Sequence, residues 1–305
     1  MSKPSPVLRP EKALLAGMAS IVTVTILIGL KAVMFFFTGS TSMLATLMDS
    51  LADATVSVMT FFVIRFSLKP ADDNHRSGHG KIEGLAAVFQ GCFIAAAALV
   101  LLFESFRRLQ EPQTINHHEW GIAVMLVSIA LSLVLLKIQK QVLKEAPSLA
   151  VEADHAHYAT DIIVNIGVII VLLALLAGAP SWIDAVFGVL MTIYLLHTAR
   201  AIGWQGMDML LDRELPDDVR AAIKARVRAH PAVKDMHDLR TSKSGMRMFI
   251  SFDIEVDGAM TLTAAHDISR DIEHELLQDY PHAEIMIHID PEGDPHDTRH
   301  YQPRI

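Results

Sequence analysis

Residues 43–66 read MLATLMDSLADATVSVMTFFVIRF, an apolar run of membrane length with two acids set into it, Asp49 and Asp53. A helix needs about 20 such residues to cross the hydrocarbon layer, and only helices or closed barrels satisfy their backbone groups there. On a helix, residues four apart share a face, so the two carboxylates stand one above the other. Each costs about 2.5–3.5 kcal/mol near the middle of an isolated span, and like charges at this spacing repel. The pair therefore predicts a cation between them.

Working outward, five further apolar runs accompany this one, giving expected spans at 13–37, 43–66, 84–106, 120–137, 150–177 and 182–204. The fifth is apolar only from Ile162 onward, because its first turns carry Glu152, Asp154, His155, His157 and Asp161. The first run is long and no small-residue cleavage site follows it, so it reads as a mature span. Residues beyond about 208 contain no such run. The chain, 305 residues and 51% hydrophobic, thus divides into an N-terminal segment 1–12, a six-helix membrane domain 13–208, a soluble domain 209–291 and a tail 292–305 expected to be disordered.

Loop charge sets the expected orientation. Lys3, Arg9, Lys12, Arg65, Lys69, Arg76, Lys81, Lys137, Lys140 and Lys144 lie on one side, against Arg107 and Arg108 on the other. Ten against two is a positive-inside bias that places both termini and the soluble domain in the cytoplasm. A net charge of −8 argues against nucleic acid as a partner. Cys92 is the single cysteine, so neither an intrachain disulfide nor a cysteine-based zinc site is available, and any metal must be held by histidine and carboxylate.

The fifth span offers the complement to the acid pair. His157 and Asp161 are again four apart on one face, and with Asp49 and Asp53 they make a four-coordinate nitrogen and oxygen site that zinc accepts. A lone membrane acid can sit protonated or reach the interface; two matched pairs in separate spans argue for a site. Small residues nearby (Ala45, Ser50, Ala52 and Ala54; Ala156, Ala159 and Gly167) allow the two helices to approach. A second candidate lies in the polar loop DDNHRSGHGKIE, residues 72–83. There Asp72, His75 and His79 can fold round one ion with an open fourth position, although histidines are common in polar loops.

Taken together, Asp49-x3-Asp53, His157-x3-Asp161, the 72–83 loop and the junction LLDRELP at 210–216 resemble the cation diffusion facilitators, in particular their bacterial zinc and ferrous-iron efflux branch. The resemblance covers roughly residues 12 to 291. It implies a homodimeric metal/proton antiporter of the inner membrane, with Zn2+ as main substrate, Cd2+ or Fe2+ as further substrates, and a cytoplasmic ferredoxin-like domain. It also implies that the loop ligands form a second, more exposed site, and that Lys81 and Asp212 form a charge interlock near the dimer junction.

The soluble domain reads independently as α-β-β-α-β. A helix runs from Pro216 to His230, strands cover 235–242 and 246–257 around Ser244-Gly245, a helix follows from Thr261 to Tyr280, and a last strand holds Ile285, Ile287 and Ile289 inward. By resemblance its metal ligands are His237, His266, His288 and Asp290, with Asp290 bridging two ions. Asp253 stands where a further histidine is implied, a harder donor than imidazole. An acidic solvated sheet face with scattered histidines is the plain alternative.

Two other functions compete, and within transport the alternative is a chain of the same kind whose main substrate is Fe2+ or Mn2+. An intramembrane metalloprotease needs H-E-x-x-H, and neither His118-Glu119 nor His274-Glu275 is followed by the second histidine. A membrane-anchored metal sensor or delivery module would use the soluble domain alone and leave the intramembrane acids unexplained. The expected chemistry is therefore transport, with protons competing for the metal's ligands, rather than enzymatic catalysis.

Overall fold

The computed structural model describes residues 9, 11–38, 41–110, 118–180 and 182–293. The chain divides into two compact units, one spanning residues 8–211 and one beginning at Asp212. The tail assigned to 292–305, beyond residue 293, and most of the segment 1–12 lie outside the described residues.

The first unit is six long helices: α1 (Glu11–Thr38), α2 (Thr41–Ser67), α3 (Ile82–Gln110), α4 (His118–Glu145), α5 (Leu149–Leu176) and α6 (Trp182–Leu210). Five of them, α1 to α4 and α6, are long and apolar enough to cross a membrane by length and composition. The helix outside that set is α5, the one with acids and histidines in its first turns. Helix α1 shows how the pattern is spent. Ala13, Ala16, Ser20, Val24 and Leu27, at three- and four-residue spacing, face inward, while Leu15, Met18, Val22 and Ile26 are exposed and apolar. Such an outer surface suits lipid rather than water.

Helix α4 extends past the expected end at 137 to Glu145. Lys137, Lys140 and Lys144 thus lie on its last turns rather than in a loop, and only residues 146–148 separate α4 from α5. The polar end is held down: the Arg9 N–H donates to the Glu145 carbonyl at 2.8 Å, and Lys12 Nζ lies 2.6 Å from Glu145 Oε2.

Helices α3 and α6 pack closely because glycines face each other. A Cβ on Gly206 would come within 2.5 Å of the Gly84 carbonyl oxygen, and one on Gly84 within 2.9 Å of the Gly206 oxygen. Only hydrogen side chains permit that approach.

The second unit comprises α7 (Asp217–Arg228), β1 (Asp235–Ser244), β2 (Arg247–Val256), α8 (Leu262–Asp279) and β3 (Ala283–Pro291). Strands β1 and β2 form an antiparallel hairpin whose turn puts Gly245 at φ 59°, and β3 lies parallel to β2 in the order β1-β2-β3. The alternation of β2 buries Ile250, Phe252, Ile254 and Val256 against Ile223 and Val227 of α7 and Ile272 and Leu276 of α8. Ser251, Asp253 and Glu255 point to the other face. Thr261 caps α8, its side chain accepting from Ala264 N at 3.2 Å.

Candidate metal sites

In the helical unit, α2 brings Asp53 and α5 brings His157 and Asp161 to one point. His157 Nε2 lies 3.2 Å from Asp53 Oδ1 and 3.7 Å from Asp161 Oδ2, and one ligand atom from each residue falls within 4.8 Å of the others. The imidazole is buried, with 7% of its side chain exposed, whereas the two carboxylates are partly open at 22% and 35%. Its ring is fixed edge-on between Phe93 of α3 and the neighbouring Tyr158, whose hydroxyl is 2.9 Å from Ser57 Oγ of α2. The arrangement is a rigid nitrogen donor flanked by two oxygen donors, with one side open for an ion to enter.

Asp49 differs from the expected tetrad. It is exposed, one turn from Asp53, and is not part of the three-residue cluster. Four residues advance a helix by about 6 Å, so two acids on one face reach a common point only when the point lies between them. Here the point lies at His157, nearer Asp53.

Several polar groups around the cluster had no role in the sequence reading. Asp154, one turn before His157, is buried and accepts at Oδ2 from Ser20 Oγ of α1 at 2.6 Å and from Gln139 Nε2 of α4 at 2.8 Å. That node ties the ligand-bearing helix α5 to two others. Glu83 is likewise fully buried and accepts from Ser67 of α2 and Ser148 at 2.8 and 2.7 Å. Lys31 of α1 donates to Ser50 of α2 at 2.7 Å. Asp154 and Lys31 carried a visible signal, a charge in a membrane run; Gln139 carried none.

The loop site also assembles. His75 Nδ1 is 3.1 Å from Asp72 Oδ1, and His79 Nε2 is 3.3 Å from Asp72 Oδ2. Gly78, at φ 76°, lets the chain reverse between the two histidines. His79 is buried against Phe66, the rings 4.8 Å apart, and its Nδ1 has no hydrogen-bond partner. The Asp72 carboxyl is held below the usual carboxylate range, chiefly by the His75 backbone N–H it accepts at 2.7 Å. It therefore stays ionised, as a metal ligand must.

In the second unit the polar sheet face lines up its donors by register. His237 pairs with Asp253, and Asp253 pairs with His288. His237, Asp253 and Asp290 form a cluster, with His237 Nε2 3.8 Å from Asp253 Oδ2 and 3.5 Å from Asp290 Oδ2. His288 Nε2 sits 3.1 Å from the other oxygen of Asp290, so that carboxylate faces two imidazoles. His266 is exposed on α8 and is not among the clustered residues. Lys81 precedes α3 in the first unit, and Asp212 begins the second.

Residues 17–211 match the cation efflux transmembrane domain, and residues 215–292 match the cytoplasmic domain of cation efflux proteins. Over 276 residues the chain is 41% identical to the cation-efflux pump FieF of Serratia proteamaculans, covering 90% of this chain and 92% of that one. It is 40% identical, with the same coverage, to the FieF of Yersinia pestis strain Pestoides F. The metal-bound C-terminal domain of the CzcD transporter from Thermotoga maritima aligns at 35% identity, covering 25% of this chain and 91% of that one, with a TM-score of 0.24.

Proposed function

Because the chain belongs to the cation efflux family, as a multi-pass membrane protein with a metal-binding character, we propose that it exports zinc from the bacterial cytoplasm across the inner membrane in exchange for protons. The observation that carries this reading is the convergence of Asp53, His157 and Asp161 inside the helical unit. One imidazole and two carboxylates leave a coordination position open, which suits a cargo that must arrive and depart. Asp49, one turn along, is a ligand for an ion entering or leaving.

The donor set also bears on the metal. With more oxygen than nitrogen, it is less selective for zinc than a histidine-rich site, so Cd2+ and Fe2+ are further substrates and Mn2+ a weaker one. Protons enter by competition: metal needs the imidazole neutral and the carboxylates ionised, so acid on the far side releases it. Site occupancy then biases the exchange between inward-open and outward-open forms.

Asp72, His75 and His79 form a second site on the cytoplasmic side. His237, Asp253, His266, His288 and Asp290 hold zinc as a structural ion in a cytoplasmic domain that joins two copies of the chain. A sensor anchored by its helices would give the intramembrane cluster no work. Proteoliposomes offered zinc, cadmium, ferrous iron and manganese in turn test the reading. Zinc and cadmium flux is expected; a chain that binds these metals but carries none refutes transport.

A further inference from the structure

Lys31 sits within the apolar body of α1, where an ammonium is costly and its partner is informative. One partner is Ser50 Oγ at 2.7 Å, a buried hydroxyl on α2 between Asp49 and Asp53. The groups acting electrostatically on the ammonium are Asp53 and Asp49 on α2 and Asp161 on α5. Asp154 is held apart by the hydrogen bonds it accepts from Ser20 and Gln139.

We propose that Lys31 is a charge-setting residue of the intramembrane metal site, tuning it to a divalent ion that must also leave. The inference rests on reading that site as the transport site. With the imidazole neutral, Asp53 and Asp161 of the cluster and Asp49 one turn away carry three negative charges when ionised, and the Lys31 ammonium leaves two. A bound divalent ion then closes the balance, and the loaded site crosses a poorly solvated region without surplus charge. Without the lysine, one uncompensated carboxylate remains, which strengthens the hold on any cation and slows its release. Ser50 orients the ammonium, while the charge itself sets the balance.

Zinc flux into proteoliposomes, read as half-saturating zinc and maximal rate, tests this with Lys31→Gln, Lys31→Arg and Ser50→Ala. Glutamine keeps a hydrogen-bond donor and removes only the charge. It is expected to lower half-saturating zinc by about tenfold, from one unit charge acting at a partly screened distance, and to lower the maximal rate. Arginine restores both, and Ser50→Ala stays within about threefold of wild type because the charge remains. Half-saturation unchanged in Lys31→Gln, or raised and not rescued by arginine, overturns the proposal. A Ser50→Ala variant that reproduces the tightening overturns it too, and this variant decides the matter if Lys31→Gln fails to insert. Asp53→Ala run in parallel separates the two readings: wild-type flux in that variant removes the transport site itself, whatever Lys31 does.

Discussion

His157 is the residue on which the intramembrane cluster turns, because its buried ring is fixed by Phe93 and Tyr158 while the carboxylates around it are partly open. Removing any of the three clustered residues leaves two of the cluster's donors, and zinc binding is expected to be lost. Asp49 stands outside the cluster, so Asp49→Ala is expected to weaken zinc affinity by about 10–100-fold, the range for outer partners of metal ligands, without abolishing binding. Equilibrium zinc binding to Asp49→Ala and Asp53→Ala compares the two. The i,i+4 spacing made both pairs legible in the sequence. The inequality of the two acids on α2 was not, since it depends on where α5 delivers His157. Asp235 gives a second test at this scale. Its carboxyl is held below the usual range by the Met236 backbone N–H and by Arg228, whose Nη2 lies 3.0 Å away. A depressed folded-state value contributes stability that is present above the unfolded value, about 3.9, and is lost as pH falls through the folded one. Thermal melts of residues 212–305 between pH 6 and pH 2 should therefore show a shallower acid loss in Asp235→Asn than in wild type.

At the scale of elements, the glycines of α3 and α6 make a paired prediction. A Cβ at Gly206 meets backbone, whereas one at Gly203 meets nothing within 4 Å. Gly206→Ala should lower the melting temperature of the detergent-purified protein by several degrees, and Gly203→Ala should leave it nearly unchanged. In the second unit Leu276 of α8 is fully buried in the core under β2, so Leu276→Ala should cost about 2–5 kcal/mol in urea unfolding of that unit. The period-two pattern of β2 matches its burial at Ile250, Phe252, Ile254 and Val256, while Met248 at the start of the strand is only partly buried. The end of α4 was less legible. Lys137, Lys140 and Lys144 look like loop charges, but a lysine's apolar stem lets it ride a helix past the membrane surface. Gln139, one turn in, is buried by Asp154, a partner 15 residues away that no local pattern announces.

For the whole molecule, the proposed function gives the two units separate metal chemistry, one for passage and one for bracing, and each has its own cluster of candidate ligands. Zinc bound only to folded residues 212–305 should raise the melting temperature of that segment, and His237→Ala should remove the increment. The family's signature was readable across both units because two of the sites use residues at fixed helical or strand spacing and the third is packed into one short loop. Which residues converge within the chain was not, because convergence is tertiary: no local pattern sets Asp49 apart from Asp53. The claim that joins these scales is that the Asp53–His157–Asp161 cluster carries metal across the membrane against protons. Zinc flux in proteoliposomes with a pH-sensitive dye inside, under an imposed pH gradient, tests it most directly in wild type and in Asp53→Ala, His157→Ala and Asp161→Ala. Zinc is expected to move with opposite proton movement, faster when the receiving side is acidic, with neither movement in the three variants. Zinc flux that ignores the gradient, or persists in these variants, would contradict it.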